Sequence, residues 1–251
     1  MKLSFVTLAA YDYRYLMTSI GTYYPMADEI LIGLDKDRIS YSHKPFAFDD
    51  AEFFRMIKAV DRDDKIRVVE DNFHVCDTPM RNETYERNAL SGLCRDGNWI
   101  VQIDADEYMV NGDEFYLYMQ EHDAEDVLVQ ANWVTVFKSF PERCLVIDTF
   151  QAFDGVIPFA TKRKRAYWEA RNILDQPLSR SPLVLVHYAW GRTRDELHQK
   201  LTHWSHSQDF DTDRYLALWD SVTLENYGQF KDFHPIYGPY WRALKEFEII
   251  A

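Results

Sequence analysis

The chain has 251 residues, with 28 Lys and Arg against 41 Asp and Glu, giving a formal charge of −13. At 47% hydrophobic and 16% aromatic residues it is not a disordered acidic chain, because such chains lack the aromatics that build a core. The acidic balance argues against a nucleic-acid partner, whose binding needs a basic surface.

The opening MKLSFVTLAAYDYRY is too short for a membrane span and lacks the apolar core and cleavage site of a signal peptide. No later stretch reaches the roughly 18 apolar residues of a spanning helix. Three scattered cysteines, Cys76, Cys94 and Cys144, make neither a disulfide framework nor a cysteine-rich zinc site. A cytoplasmic protein is expected, with peripheral membrane contact left open.

Leu3–Ala9 reads as a strand, followed by a helix near Tyr13–Ile20 and a second strand at Glu29–Leu34. Asp49–Val60 has helical apolar spacing at Phe53, Met56, Ile57 and Val60, with Asp49 or Asp50 as its cap. Ile66–Val69 is a short strand, Thr84–Leu93 a helix stopped by Asp96-Gly97-Asn98, and Trp99–Ile103 a buried strand. Asn111 is placed to cap a helix to about Glu121, with Glu114 at its N3 position. This alternation predicts an α/β fold with a mostly parallel central sheet.

The pattern then changes. Asp126–Phe137 and Cys144–Phe150 read as longer, antiparallel strands turning through Ser139-Phe140-Pro141-Glu142. Leu183–Tyr188 is another strand. Thr193-x-x-Glu196 is a capping box opening a helix to about His206, and Arg214–Trp219 is a last helix. The aromatic tail from Phe230 is expected to wrap the body. No repeat or linker intervenes, so a single domain over 1–251 is expected, with a soft division near residue 125.

Charge divides unevenly along the chain. Residues 1–130 hold 26 acidic and 13 basic side chains, and residues 131–251 hold 15 of each. The second half gathers Lys162, Arg163, Lys164, Arg165 and Arg171 into a basic knot. Such a division fits a solvated face, or one part that holds a cation and another that meets an anion.

The sharpest motif is Trp99-Ile-Val-Gln-Ile-Asp104-Ala-Asp106-Glu107. Carboxylates follow a buried strand at its C-terminal end, where open α/β sheets place ligands. If the segment is extended, Asp104 and Asp106 project the same way and repel unless a cation such as Mn²⁺ or Mg²⁺ lies between them. A charged turn is the ordinary alternative.

Leu3–Ala9, Glu29–Asp35, Arg87-Asn88 and the run Gly97–Glu107 together resemble the nucleotide-sugar-binding half of a GT-A glycosyltransferase of the family-2-like bacterial group. The resemblance covers residues 3–125 and, beyond them, the surroundings of His187. It implies a GT-A-like, Rossmann-type domain: residues 1–125 bind an NDP-sugar, and residues 126–251 form a mixed extension facing the acceptor. It further implies nucleoside contacts from Ala9, Ala10, Tyr11 and Asp35, a sugar-phosphate contact from Arg87 and Asn88, and a metal held by Asp104, Asp106 and His187. Arg192 and Lys200 are candidates to close over the diphosphate. Lys36-Asp37-Arg38 departs from the family's usual Gly-Ser-x-Asp turn.

The implied activity is metal-dependent transfer of a hexose, from a UDP-sugar by preference, to a glycan or lipid-oligosaccharide. Inversion requires a carboxylate base, and Glu169, Asp154 and Asp195 are the candidates, Glu169 for its aromatic neighbours. His198, His203 and His206 read as packing or surface residues. A non-catalytic nucleotide-sugar or carbohydrate-binding module and a DNA-modifying glycosyltransferase are the alternatives. Nucleotidyl transfer is disfavoured because no Gly-rich, Lys-bearing loop follows the first strand.

Overall fold

The computed structural model of the protein describes residues 1–149, 155–237 and 240–248. Its first part alternates β1 (Leu3–Ala9), α1 (Tyr13–Tyr23), β2 (Glu29–Asp35), α2 (Asp50–Val60), β3 (Ile66–Asp71), α3 (Pro79–Leu93) and β4 (Trp99–Gln102). The short β5 (Glu107–Met109) and α4 (Gly112–Glu121) follow. Then come β6 (Leu128–Ser139), β7 (Arg143–Thr149), β8 (Val156–Thr161), the small hairpin β9 (Tyr167–Glu169) and β10 (Asn172–Ile173), and β11 (Leu178–His187). The helices α5 (Arg194–His203) and α6 (Thr212–Ser221) precede the last strand, β12 (Trp241–Glu248).

A mixed ten-stranded sheet carries these elements in the order β12-β7-β6-β8-β4-β1-β2-β3, with β11 joining β5 to β6. The expected parallel character is confined to the run β3-β2-β1-β4 and to the pairing of β11 with β6. The pairs β4–β8, β6–β8, β6–β7, β7–β12 and β5–β11 are antiparallel. The fold is therefore α/β and loosely Rossmann-like, with antiparallel extensions on one side. No helix among the described residues is long and apolar enough to cross a membrane.

Local chemistry explains the elements. Asp49 caps α2 by accepting a bond from the Glu52 amide, and Thr193 and Glu196 form the complete capping box of α5. Asn111 does not cap α4: its amide joins Glu114 and Pro182 while its oxygen accepts from Val184, so it ties α4 to β11 instead. The third helix starts at Pro79, five residues before the expected Thr84, because proline suits the first helical position.

Both faces of β1, β2 and β4 are buried, as helix-covered strands require, while the edge strand β3 is partly exposed. Phe5, Leu16, Ile20, Ile30, Phe53 and Trp99 share one apolar core, where Phe5 stacks on Tyr23 at 4.4 Å. A second core gathers Phe137, Trp190, Leu197, Trp219 and Trp241 beneath α5 and α6, and the tail contributes to it through β12.

The basic knot is bonded to the acidic half. Lys162 meets Asp123 at 2.9 Å, Arg163 meets Asp126 at 2.5 Å, and Lys164 meets Asp96 at 2.5 Å. Each such surface pair adds little to stability. Together they pair three residues of the knot with acids of the first half.

Gly33 on β2 faces α3 so closely that an added Cβ would lie 2.2 Å from Glu86 Oε1 and 2.7 Å from Leu90 Cδ1. Gly33→Ala is expected to cost about 1–3 kcal/mol by overpacking. The check is the chemical unfolding midpoint, and an unchanged midpoint contradicts the close approach of α3 to β2.

Candidate functional site

The neighbours β1, β2 and β4 end at the same edge of the sheet, so the residues that leave them converge there. A cavity of about 360 Å³ opens at this edge. Ala9, Ala10 and Tyr11 line it after β1, as do Asp35 at the end of β2, Arg87 on α3, and Asp104 and Asp106 after β4. The second half of the chain contributes Trp133, Arg171, His187 and Lys200. His203 and His206 also line the cavity. His203 Nδ1 lies 3.0 Å from Ser40 Oγ, and its ring tilts against Tyr11.

Other candidates lie off the cavity wall. Both ends of the Asn88 amide are bonded to the Tyr167 backbone, at 2.7 and 3.0 Å, so Asn88 anchors the β9–β10 hairpin. Glu169 belongs to that hairpin without lining the cavity, and Asp195 is exposed in the first turn of α5. Asp154 lies outside the described residues. Arg192 stands behind the wall, bonded to Asp106 and, at 2.9 Å, to Asp12.

The Asp-x-Asp segment is a turn, closed by the Glu107 amide donating to the Asp104 carbonyl at 3.1 Å. The rule that alternate residues of a strand project together therefore does not apply, and the two carboxylates bind different cations. Asp104 Oδ1 accepts from Arg87 Nη2 at 2.8 Å, and Oδ2 lies 2.6 Å from Arg171 Nη2. Asp106 Oδ2 accepts from Lys200 Nζ at 2.7 Å and from Arg192, while Oδ1 lies 3.5 Å from His187 Nε2.

Burial alone raises the pKa of both acids. At Asp104 the charges of Arg171 and Arg87 outweigh it, and at Asp106 those of Lys200, His187 and Arg192 do, so both carboxyls are held well below the usual carboxylate range. The repulsion that called for a metal ion in the sequence reading is met here by the chain's own cations.

Sheet register brings His187 to this place. In the antiparallel pairing of β11 with β5, His187 stands opposite Glu107, and the Tyr188 amide donates to the Asp106 carbonyl at 2.9 Å. The imidazole stacks on Trp133 at 4.5 Å, and its Nδ1 is buried without a partner. Carboxylate oxygen and imidazole nitrogen are donors that Mn²⁺ accepts. The 3.5 Å between Asp106 Oδ1 and His187 Nε2 is near the spacing of adjacent octahedral ligands, about 3.0 Å for bonds of about 2.1 Å. These two residues fit a divalent ion as part of its shell. Asp104 does not join them, since its oxygens face Arg87 and Arg171.

Among the described residues, the one group of three ligand atoms within 4.8 Å of one another is Asp35, Asp37 and His74, a set that a divalent metal could also use. Asp35 already has several partners. Its Oδ1 accepts from the amides of Asp37 and Ile39, at 3.0 and 3.1 Å. Its Oδ2 accepts from the Phe73 amide at 2.9 Å and lies 2.7 Å from His74 Nδ1. Burial raises this carboxyl, but His74 and the three amides bring it below its ordinary value. Asp35 thus builds the unusual Lys36-Asp37-Arg38 turn, in which Arg38 adopts φ 57° and donates to the Asp35 carbonyl at 2.6 Å.

Arg171, Glu83, Glu86 and Asp12 were not foreseen as site residues. Asp12 follows Tyr11 directly and was legible by position. Arg171 reaches Asp104 only because the hairpin folds back, with Ala170 at φ 47°, and no spacing in the sequence announces it.

Glu86 Oε2 accepts from Tyr41 at 2.7 Å, and Oε1 is buried without a partner. Burial pushes this carboxyl from about 4.5 up to about 8, against the Tyr41 bond and the Arg87 charge. The folded protein therefore keeps a proton that the unfolded chain releases near pH 4.5. The resulting stabilisation is complete below that pH and is lost as pH rises through about 8. Glu86→Gln cannot ionise, and it should gain thermal stability relative to wild type steadily between about pH 5 and pH 8. A difference in melting temperature that stays flat over this range contradicts a protonated Glu86.

No family model matches the chain, and no curated protein matches it in sequence. Solved structures similar to it include S. aureus TarS 1–349, at 10% identity and a TM-score of 0.43 over 91% of this chain and 77% of that one. A 4-diphosphocytidyl-2C-methyl-D-erythritol synthase matches at 12% identity and a TM-score of 0.40, over 80% of this chain and 97% of its own. A mycobacterial protein matches at 14% identity and a TM-score of 0.46, over 96% and 84%. Likeness of this degree assigns no activity, so the chemistry rests on the side chains.

Proposed function

We propose that the protein is a glycosyltransferase that takes a sugar, hexose by preference, from a nucleotide-sugar donor to a glycan or lipid-oligosaccharide acceptor. The observation that carries this reading is the meeting of Asp35, Asp106, His187 and Lys200 around one cavity at the C-terminal edge of parallel strands. In this reading the nucleoside lies along Ala9, Ala10, Tyr11 and the turn built by Asp35. The diphosphate reaches Lys200, with Arg192 behind it, and Arg87 and Arg171 hold Asp104 in place. The acceptor enters past Trp133 and the β9–β10 hairpin.

Asp106 and His187 would hold a Mn²⁺ or Mg²⁺ ion, which, when bound, acts as a Lewis acid toward the charge on the departing diphosphate. Lys200 supplies positive charge to the same oxygens, in a wall where burial strengthens each interaction. His187 is held for this task by Trp133 on one face and by the β5–β11 register.

A second reading, a module that binds a nucleotide sugar without transferring it, is favoured by one observation: neither Glu169 nor Asp195 lines the cavity. Turnover separates the two readings. A DNA-modifying activity would rest on the basic knot, three residues of which are paired with the protein's own acids.

The test is calorimetric binding of a panel of nucleotide sugars with Mn²⁺, followed by assay of sugar release. At least one donor should bind wild type, and Asp106→Asn should weaken it by at least the roughly tenfold that losing an outer-shell partner of a metal costs. Failure of every donor to bind wild type overturns the proposal. Binding without release supports the non-catalytic reading.

A further inference from the structure

Asp106 is 3% exposed and has different neighbours on its two oxygens. His187 Nε2 stands 3.5 Å from Oδ1, whereas Oδ2 takes both Lys200, at 2.7 Å, and Arg192. The two cations are held differently. Arg192 is fixed by Asp12 at 2.9 Å, by the Tyr188 carbonyl at 3.2 Å, and by the Tyr15 ring, 4.7 Å away. Lys200 reaches Asp106 from α5 on a flexible four-carbon stem, and it lines the cavity. Its ammonium can therefore turn toward a ligand, and the Arg192 guanidinium cannot.

We propose that Lys200 is a resident counter-cation of Asp106 that competes with a divalent ion. The ion then binds well only when an anionic ligand, the diphosphate of a nucleotide, draws the Lys200 ammonium away. This deepens the proposed function, and it rests on the reading of Asp106 and His187 as ligands of the ion.

Two protein ligands make a weak site by themselves, because small divalent ions are commonly completed by substrate phosphates and water. An ammonium on the same carboxylate weakens that site further through repulsion of like charges. A diphosphate removes both obstacles at once: it supplies oxygen ligands to the ion and a new partner to Lys200. Ion and nucleotide thus strengthen each other's binding by the same factor, as linkage demands. Lys200 acts here as a positioning residue, holding the Asp106 carboxylate in place until the ligands arrive.

The test measures Mn²⁺ binding to the nucleotide-free protein, from the paramagnetic resonance of free Mn²⁺. Lys200→Met should bind Mn²⁺ about tenfold or more tightly than wild type, since the competing charge is gone, while Lys200→Arg should stay near wild type. A Lys200 residue that only props up the fold would not raise metal affinity on removal. Mn²⁺ binding to Lys200→Met that is equal to or weaker than wild type overturns the proposal. If Lys200→Met fails to fold, Lys200→Gln carries the same expectation. If neither variant folds, wild type decides: Mn²⁺ affinity must rise on adding UDP, and an unchanged affinity in the presence of bound UDP overturns the proposal. Failure of UDP and every nucleotide sugar to bind is a separate result, which removes the proposed function and leaves the nucleotide-free comparison standing.

Discussion

Two ionised carboxylates at the end of β4 require positive charge around them, and much of the surrounding architecture supplies it. Asp104 draws Arg87 from α3 and Arg171 from the β9–β10 hairpin. Asp106 draws Arg192 from the loop after β11 and Lys200 from α5. The two halves of the chain are thereby joined at one knot of charge, in addition to the strands they share. An intact buried pair of this kind contributes modestly, but removing one partner strands the other and costs about 3–5 kcal/mol. The knot therefore fixes the arrangement of the cavity wall more than it raises the total stability.

The groups that hold the wall together are also those that face the cavity. Lys200 neutralises Asp106 and lies within reach of a ligand, and Asp35 both shapes the loop after β2 and lines the place assigned to the nucleoside. A site built this way is electrically balanced before any ligand arrives. Its free energy of binding comes from exchanging partners within the protein for partners on the ligand. Such exchange favours ligands that bring anions and cations together, because either alone leaves a buried charge uncompensated. Glu86 is the exception in this wall: burial keeps its carboxyl protonated near neutral pH, so it adds no negative charge beside Asp35.

Much of the frame was legible in the sequence, and the reasons are local. Leu3–Ala9, Glu29–Asp35 and Trp99–Gln102 are apolar runs of strand length, and Thr193 with Glu196 forms a box that specifies its own helix start. The short strands β5, β9 and β10 have too few residues to show a period, and β12 lies in a tail whose aromatics suggested packing only. Asp104, Asp106 and His187, implied by the resemblance as ligands of one metal, all line the cavity, but a turn replaces the extended segment assumed for the two aspartates. Arg171 was invisible as a partner of Asp104. Its contact depends on a hairpin that returns across the sheet edge, and tertiary return of this kind leaves no mark in residue spacing.

The central claim is that this knot frames a nucleotide-sugar site, and a crystal structure grown with Mn²⁺ and a non-transferable UDP-sugar tests it most directly. The account predicts the nucleoside along Ala9–Tyr11 and Asp35, the ion against Asp106 Oδ1 and His187 Nε2, and the Lys200 ammonium on phosphate oxygen rather than on Asp106. A cavity without ligand under saturating conditions, or a nucleotide bound away from Asp106 and His187, would contradict it.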